Sequence, residues 1–245
     1  MTLAKAVERM FGSAETGALM LEDCYQGRLE RHWKVDDRID QDGVQAYLVH
    51  GVDQRWWLVV PGTGYAESGK PSEFWPDWLR NAASVFGMAW SFGGAMPVTG
   101  QSGVFRWGRG FLQEANIIDT WLAGRRVDVA IGHSQGGAAV QILAWSRWWR
   151  WHGAVGAAVE PVHEAHAFAS ARPCFSPSLP VPPRLHVWAA VDDLVPKLPI
   201  GAFHAGITHK LPSLGIGSLR ERHAILGYRA RLADEHARLL RESEP

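Results

Sequence analysis

The chain has almost no cysteine: Cys24 and Cys174 are its only two in 245 residues. Two thiols far apart, neither in a CxxC pattern, exclude a disulfide framework and make a reducing compartment the default, leaving open whether the two pair. Net charge is absent as well, with 25 Lys and Arg against 25 Asp and Glu. No basic tail or like-charge block is present, which argues against nucleic acid and against a partner recruited by charge. No stretch is apolar for long enough to span a bilayer. The opening MTLAKAVERMFGSAETGALML lacks the apolar core of a secretory signal, so a cytoplasmic location is expected, with export by another route left open. There is no internal repeat and no low-complexity tract.

Apolar residues make up 47% of the chain and charged residues 20%, the balance of a globular protein with a full core. One domain over residues 1–245 is expected. Tryptophan is abundant, with 13 copies, and its large apolar area suits either a Trp-rich core or an apolar substrate groove.

Residues 1–30 read as a helical lead-in. VQAYLVH (Val44 to His50) and WWLVV (Trp56 to Val60) read as strands joined through GVDQR as a hairpin. PGTG breaks the chain at Pro61. Residues 64–80 are loop-like and then briefly helical, with Phe74, Trp75, Trp78 and Leu79 on one face. Ala83 to Trp90 suits a further strand, and 91–108 is Gly-rich and loop-like. Phe111 to Leu122 has helical spacing and Gly124 stops it. Val127 to Gly132 reads as a buried strand and Gly136 to Trp149 as a helix. Ala165 to Ser170 and LHVWAAV (Leu185 to Val191) read as strands, and a last helix runs from about Arg220 to Arg241. Strands alternating with helices predict an α/β fold with a mostly parallel central sheet flanked by helices, and the opening hairpin adds antiparallel strands at one side.

The most informative pattern is Gly132-His133-Ser134-Gln135-Gly136, a G-x-S-x-G placed after a strand and before a helix. That context is the nucleophile elbow of an α/β-hydrolase, where a tight turn excludes side chains at the flanking glycines and projects the serine. A helix start behind it favours developing negative charge. Serine needs a base, and the base a carboxylate, in the order Ser, then Asp or Glu, then His. Past the strand LHVWAAV come Asp192 and Asp193, of which one can serve. His204, His209, His223 and His236 follow. His223 is favoured because a long loop precedes it, His204 and His209 lie in a Gly-rich loop, and His236 sits in a polar helix as a surface residue. His133 is assigned to packing. His163-Glu164-Ala165-His166 is not a metal motif, since on a strand the two histidines face opposite sides.

Taken in order, these segments resemble the class 3 lipases, the fungal and plant triacylglycerol lipase group of α/β-hydrolases. VQAYLVHGVDQRWWLVVPGTG resembles that family's hairpin and RGT turn, PSEFWPDWLRNA its DW segment, and GRGFL its HxGFL. GHSQGGAAV resembles GHSLGGALA, HAFASARP the TFGxPRVG strand, DLVPKLP the DxVPxLP motif and RHAILGY the DHxxY motif. The resemblance implies Ser134 as nucleophile, Asp193 as acid and His223 as base. It implies an oxyanion hole from Gln135, with Thr63 as the second donor. It also implies a lid over residues 64–80 whose apolar face (Phe74, Trp75, Trp78, Leu79) covers the site in water and opens onto lipid; the other reading packs those aromatics on the core. Pro61 stands where the family has arginine and Gln135 where it has leucine. The loop from Gly64 to Pro71 is longer, and a tyrosine follows His223 by five positions rather than three. The expected activity is hydrolysis of a small-molecule or lipid carboxylic ester without metal or cofactor. Another acyl hydrolase (a cutinase-like esterase, a thioesterase or a phage cell-wall lipid esterase) fits the same residues, as does a silent hydrolase fold that only binds.

Overall fold

In a computed structural model, the protein is described over residues 3–62, 94–96, 105–153, 159–213, 215 and 217–243. Numbering elements among these residues, α1 (Leu3–Tyr25) and the single turn α2 (Leu29–His32) lead into β1 (Lys34–Gln41), β2 (Val44–His50) and β3 (Trp56–Val60). The short strands β4 (Gly94–Met96) and β5 (Phe105–Trp107) pair with each other. Then come α3 (Arg109–Leu122), β6 (Val129–His133), α4 (Ser134–Gly153), β7 (Glu164–Phe168), β8 (Leu185–Ala190) and β9 (Ile207–Leu211). Two helices close the chain, α5 (Leu219–His223) and α6 (Ile225–Ser243).

Among the described residues, the main sheet has seven strands in the order β1-β2-β3-β6-β7-β8-β9. β1, β2 and β3 are antiparallel neighbours, and from β3 onward each pairing is parallel. Successive residues of a strand face opposite sides, and both faces are covered. Leu58 and Val60 of β3 and Ala130 of β6 turn to the layer of α3 and α4. Trp57 and Val59 of β3, with Val129 and Ile131 of β6, turn to the layer of α1 and α6. A strand buried on both faces reads as a continuous apolar run, which is why WWLVV was visible in the sequence. Trp57, Trp107, Trp145 and Trp188 are fully buried, so these four tryptophans are core. Among the described residues, no helix is long and apolar enough to cross a membrane.

The α/β-hydrolase architecture predicted from the sequence is the one observed, with five differences among the described residues. The antiparallel part has three strands rather than two: β1, KVDDRIDQ, is a charged edge strand with no hydrophobic run, as edge strands that avoid further pairing often are. Where a loop was expected over 91–108, β4 and β5 form. His209 lies on β9, not in a loop. The last helix is broken at Ala224, so His223 ends a short helix instead of starting a long one. His236 is not a surface residue: its ring stacks on Phe11 of α1 and Nδ1 lies 3.0 Å from Glu15, because α6 docks on α1. The strand expected over Ala83 to Trp90 lies outside the described residues.

Candidate active site

β6 runs directly into α4, and Ser134 makes the corner with a left-handed φ of 56°. For a residue with a Cβ this conformation costs roughly 1–2 kcal/mol and persists only where the surroundings impose it. The surroundings are visible. A Cβ on Gly132 would lie 2.4 Å from the Gly136 carbonyl oxygen, and one on Gly136 would lie 2.4 Å from the carbonyl oxygens of both Val60 and Pro61. The strand end, the elbow and the first turn of α4 therefore press together with no room for side chains.

Three loops at the carboxyl ends of the parallel strands meet here. His223 Nε2 lies 3.0 Å from Ser134 Oγ, and His223 Nδ1 lies 2.9 Å from Asp193 Oδ2. Asp193 follows β8. Its Oδ1 accepts the Val195 N–H at 3.0 Å, and its Oδ2 also accepts the Tyr228 hydroxyl at 2.8 Å. Tyr228 in turn accepts the Ala190 N–H at 3.0 Å. Since the Asp193 carboxylate can only accept, His223 carries its proton on Nδ1 and presents Nε2 as an acceptor to Ser134. Ser134, Asp193 and His223 are all buried. A hydroxyl bonded to an imidazole that is held by a carboxylate is the arrangement in which oxygen can lose its proton as it attacks an electrophile.

The other downstream candidates are engaged elsewhere. Asp192 receives both a guanidinium nitrogen of Arg231, at 3.0 and 3.2 Å to its two oxygens, and the Ser213 hydroxyl. His204 Nε2 meets the Pro196 carbonyl, and burial pushes that imidazole down to about 4. His209 stacks on Trp188 and bonds His186. His166 bonds Glu164 on its own strand, and among the described residues no group of three or more His, Cys, Asp or Glu side chains could hold a metal ion. Cys24 and Cys174 are both free thiols.

Four positions escaped sequence reasoning, or were given a lesser role by it. Gly62 N–H donates to Tyr25 Oη at 2.7 Å, and Tyr25 Oη lies 2.7 Å from His133 Nδ1. The tyrosine has one proton, so it donates it to His133, which must carry its own proton on Nε2 and donate to the His223 carbonyl 2.8 Å away. Burial, reinforced by the neighbouring His223, pushes His133 down to about 3, which keeps it neutral. His133 is therefore more than packing: with Tyr25 it ties α1, the end of β3 and the backbone of His223 into one chain of bonds. The fourth is Glu114 of α3, which accepts the Gln135 side-chain amide at 3.0 Å. Thr63 and the aromatic stretch of Phe74, Trp75, Trp78 and Leu79 lie outside the described residues.

Tyr228→Phe is expected to leave the Ala190 N–H and one lone pair of Asp193 without a partner in a buried setting. Loss of one such group costs about 1–3 kcal/mol. Thermal unfolding should report a destabilisation of that size.

No protein-family model matches the sequence, and no curated protein matches it. Solved structures do. M37 lipase superposes with a TM-score of 0.56 at 13% identity, covering 89% of this chain and 84% of that one. Lipase II from Rhizopus niveus gives 0.52 at 14%, covering 84% and 80%. The Rhizomucor miehei lipase in its propeptide complex gives 0.50 at 15%, covering 84% and 68%. At these identities the likeness is one of fold, and the chain has the α/β-hydrolase fold seen in these lipases.

Proposed function

We propose that the chain is a serine hydrolase that cleaves carboxylic esters, lipid esters included. The observation that carries this is the continuous bonded series Ser134–His223–Asp193 on a left-handed elbow. In this reading Ser134 Oγ attacks the ester carbonyl carbon while His223 Nε2 takes its proton. The carbonyl oxygen becomes an oxyanion, received by the main-chain N–H of Gln135 and by Thr63. The intermediate collapses to an acyl-Ser134, and the leaving alcohol takes the proton back from His223. Water then attacks the acyl carbon by the same route, releasing the acid and restoring the serine. Asp193 orients the imidazole and stabilises its charged form.

The likeness to lipases favours a lipid acyl group, with residues 64–80 acting as the lid and Phe74, Trp75, Trp78 and Leu79 as its apolar face. Hydrolysis of p-nitrophenyl esters from acetate to palmitate tests the substrate class. Turnover peaking at long chains, and rising as the substrate passes its solubility limit, is the expected result. A peak at acetate or butyrate would replace the lipase reading with a short-chain esterase. Absence of turnover together with failure to label with a fluorophosphonate would leave a silent fold.

A further inference from the structure

Glu114 is a buried carboxyl next to the proposed oxyanion site, and the proposed ester hydrolysis uses it nowhere. It lies on α3 and is only 5% exposed. Its hydrogen bond among the described residues is the one from Gln135 Nε2, at 3.0 Å. Gln135 is the residue after Ser134, whose main-chain N–H faces the expected oxyanion, and it stands where the class 3 lipase motif has leucine. An apolar side chain there would give a buried carboxyl nothing to bond, so the two polar residues explain each other.

Among the described residues, nothing around Glu114 offers it a counter-charge. α3 packs on α4 and β2. On α4, Arg147 and Arg150 are both taken up by Asp119, and His152 bonds a main-chain carbonyl. On β2 the titratable side chains are Tyr47, whose hydroxyl burial pushes up and so keeps neutral, and His50, edge-on to Trp56. The elbow side contributes His133, held neutral, with His223 and Asp193 bonded to each other. Burial, countered only by the Gln135 bond, pushes Glu114 up to about 7.

We propose, building on the ester-hydrolase reading, that Glu114 is a positioning residue for the oxyanion donor: in its neutral form it holds, through the Gln135 side chain, the residue whose main-chain N–H meets the developing charge. Once ionised, Glu114 sets a second negative charge behind that donor, where low dielectric makes like-charge repulsion effective. Turnover then falls as pH rises through the Glu114 ionisation. Stability carries the same sign. A carboxyl raised from 4.5 to about 7 in the folded chain contributes fully below 4.5, and that contribution is lost as pH rises toward 7 and beyond.

The test is kcat and KM across roughly pH 5 to 9 for the parent chain, Glu114→Gln and Glu114→Ala, on the ester of the panel turned over best. The parent should lose about tenfold in kcat on the alkaline side, and Glu114→Gln should lack that fall. Glu114→Ala should lower kcat about tenfold with KM little changed, the signature of an interaction made only in the transition state. Glu114→Gln should restore most of it, because its amide oxygen can still accept from Gln135. Superimposable pH profiles for the parent and Glu114→Gln, with turnover still dependent on Ser134, would overturn this inference alone. No Ser134-dependent turnover in the parent would overturn the functional reading and this inference with it.

Discussion

Ser134→Ala is expected to reduce ester turnover by about 10⁴- to 10⁶-fold, and to abolish fluorophosphonate labelling while leaving the fold intact. The fold should tolerate the change because alanine and serine share a Cβ and meet the same restriction at a φ of 56°. The bond lost is the one to His223, and the imidazole stays held by Asp193 and the surrounding chain of bonds. Any activity that remains would come from the oxyanion donors and from substrate placement. The measurement is kcat on the preferred ester, with circular dichroism and thermal unfolding on the same sample. Turnover at the parent rate in a folded Ser134→Ala chain would remove the serine mechanism altogether.

Asp193→Asn is expected to cost about 10⁴-fold in kcat, and the structure explains why an isosteric change should be so damaging. The carboxylate accepts three hydrogen bonds, from His223, Tyr228 and the Val195 N–H. An amide has one accepting end. With its oxygen toward Val195, its NH₂ faces His223 and drives the imidazole proton to Nε2, so that no lone pair points at Ser134. With its oxygen toward His223, the NH₂ meets the Val195 N–H, donor against donor. In both orientations the negative charge opposite the imidazolium is gone. Asp192→Asn is the control: that residue is paired with Arg231 and Ser213 and bonds neither His223 nor Ser134. Its kcat should stay near the parent value while its stability falls. Equal losses from the two substitutions would show that the distinction between these aspartates is wrong.

Some of this was written locally in the sequence. A strand buried on both faces needs an unbroken apolar run, so β3 and β6 could be seen within five residues each. The elbow needs glycine wherever backbone comes within 2.4 Å of a would-be Cβ, so Gly132 and Gly136 marked Ser134 without any knowledge of the rest of the fold. The order of serine, acid and histidine then narrowed the partners to a few residues beyond β6. Motif resemblance chose Asp193 over Asp192; in three dimensions Arg231, distant along the chain, occupies Asp192.

Other features have no local signature. β1 is a strand because β2 offers it an edge, and its charged sequence gives no hydrophobic alternation to read. The break at Ala224 that seats His223 is invisible to a helical pattern running through it. Tyr25, His133 and Gly62 form one chain of bonds although Tyr25 and His133 are 108 residues apart, and Glu114 meets Gln135 across 21. Short-range sterics and periodicity identify the serine, the glycines and the buried strands. Which polar groups share a buried space depends on how α1 and α3 pack on opposite faces of the sheet, and that packing exists only once the whole chain has folded.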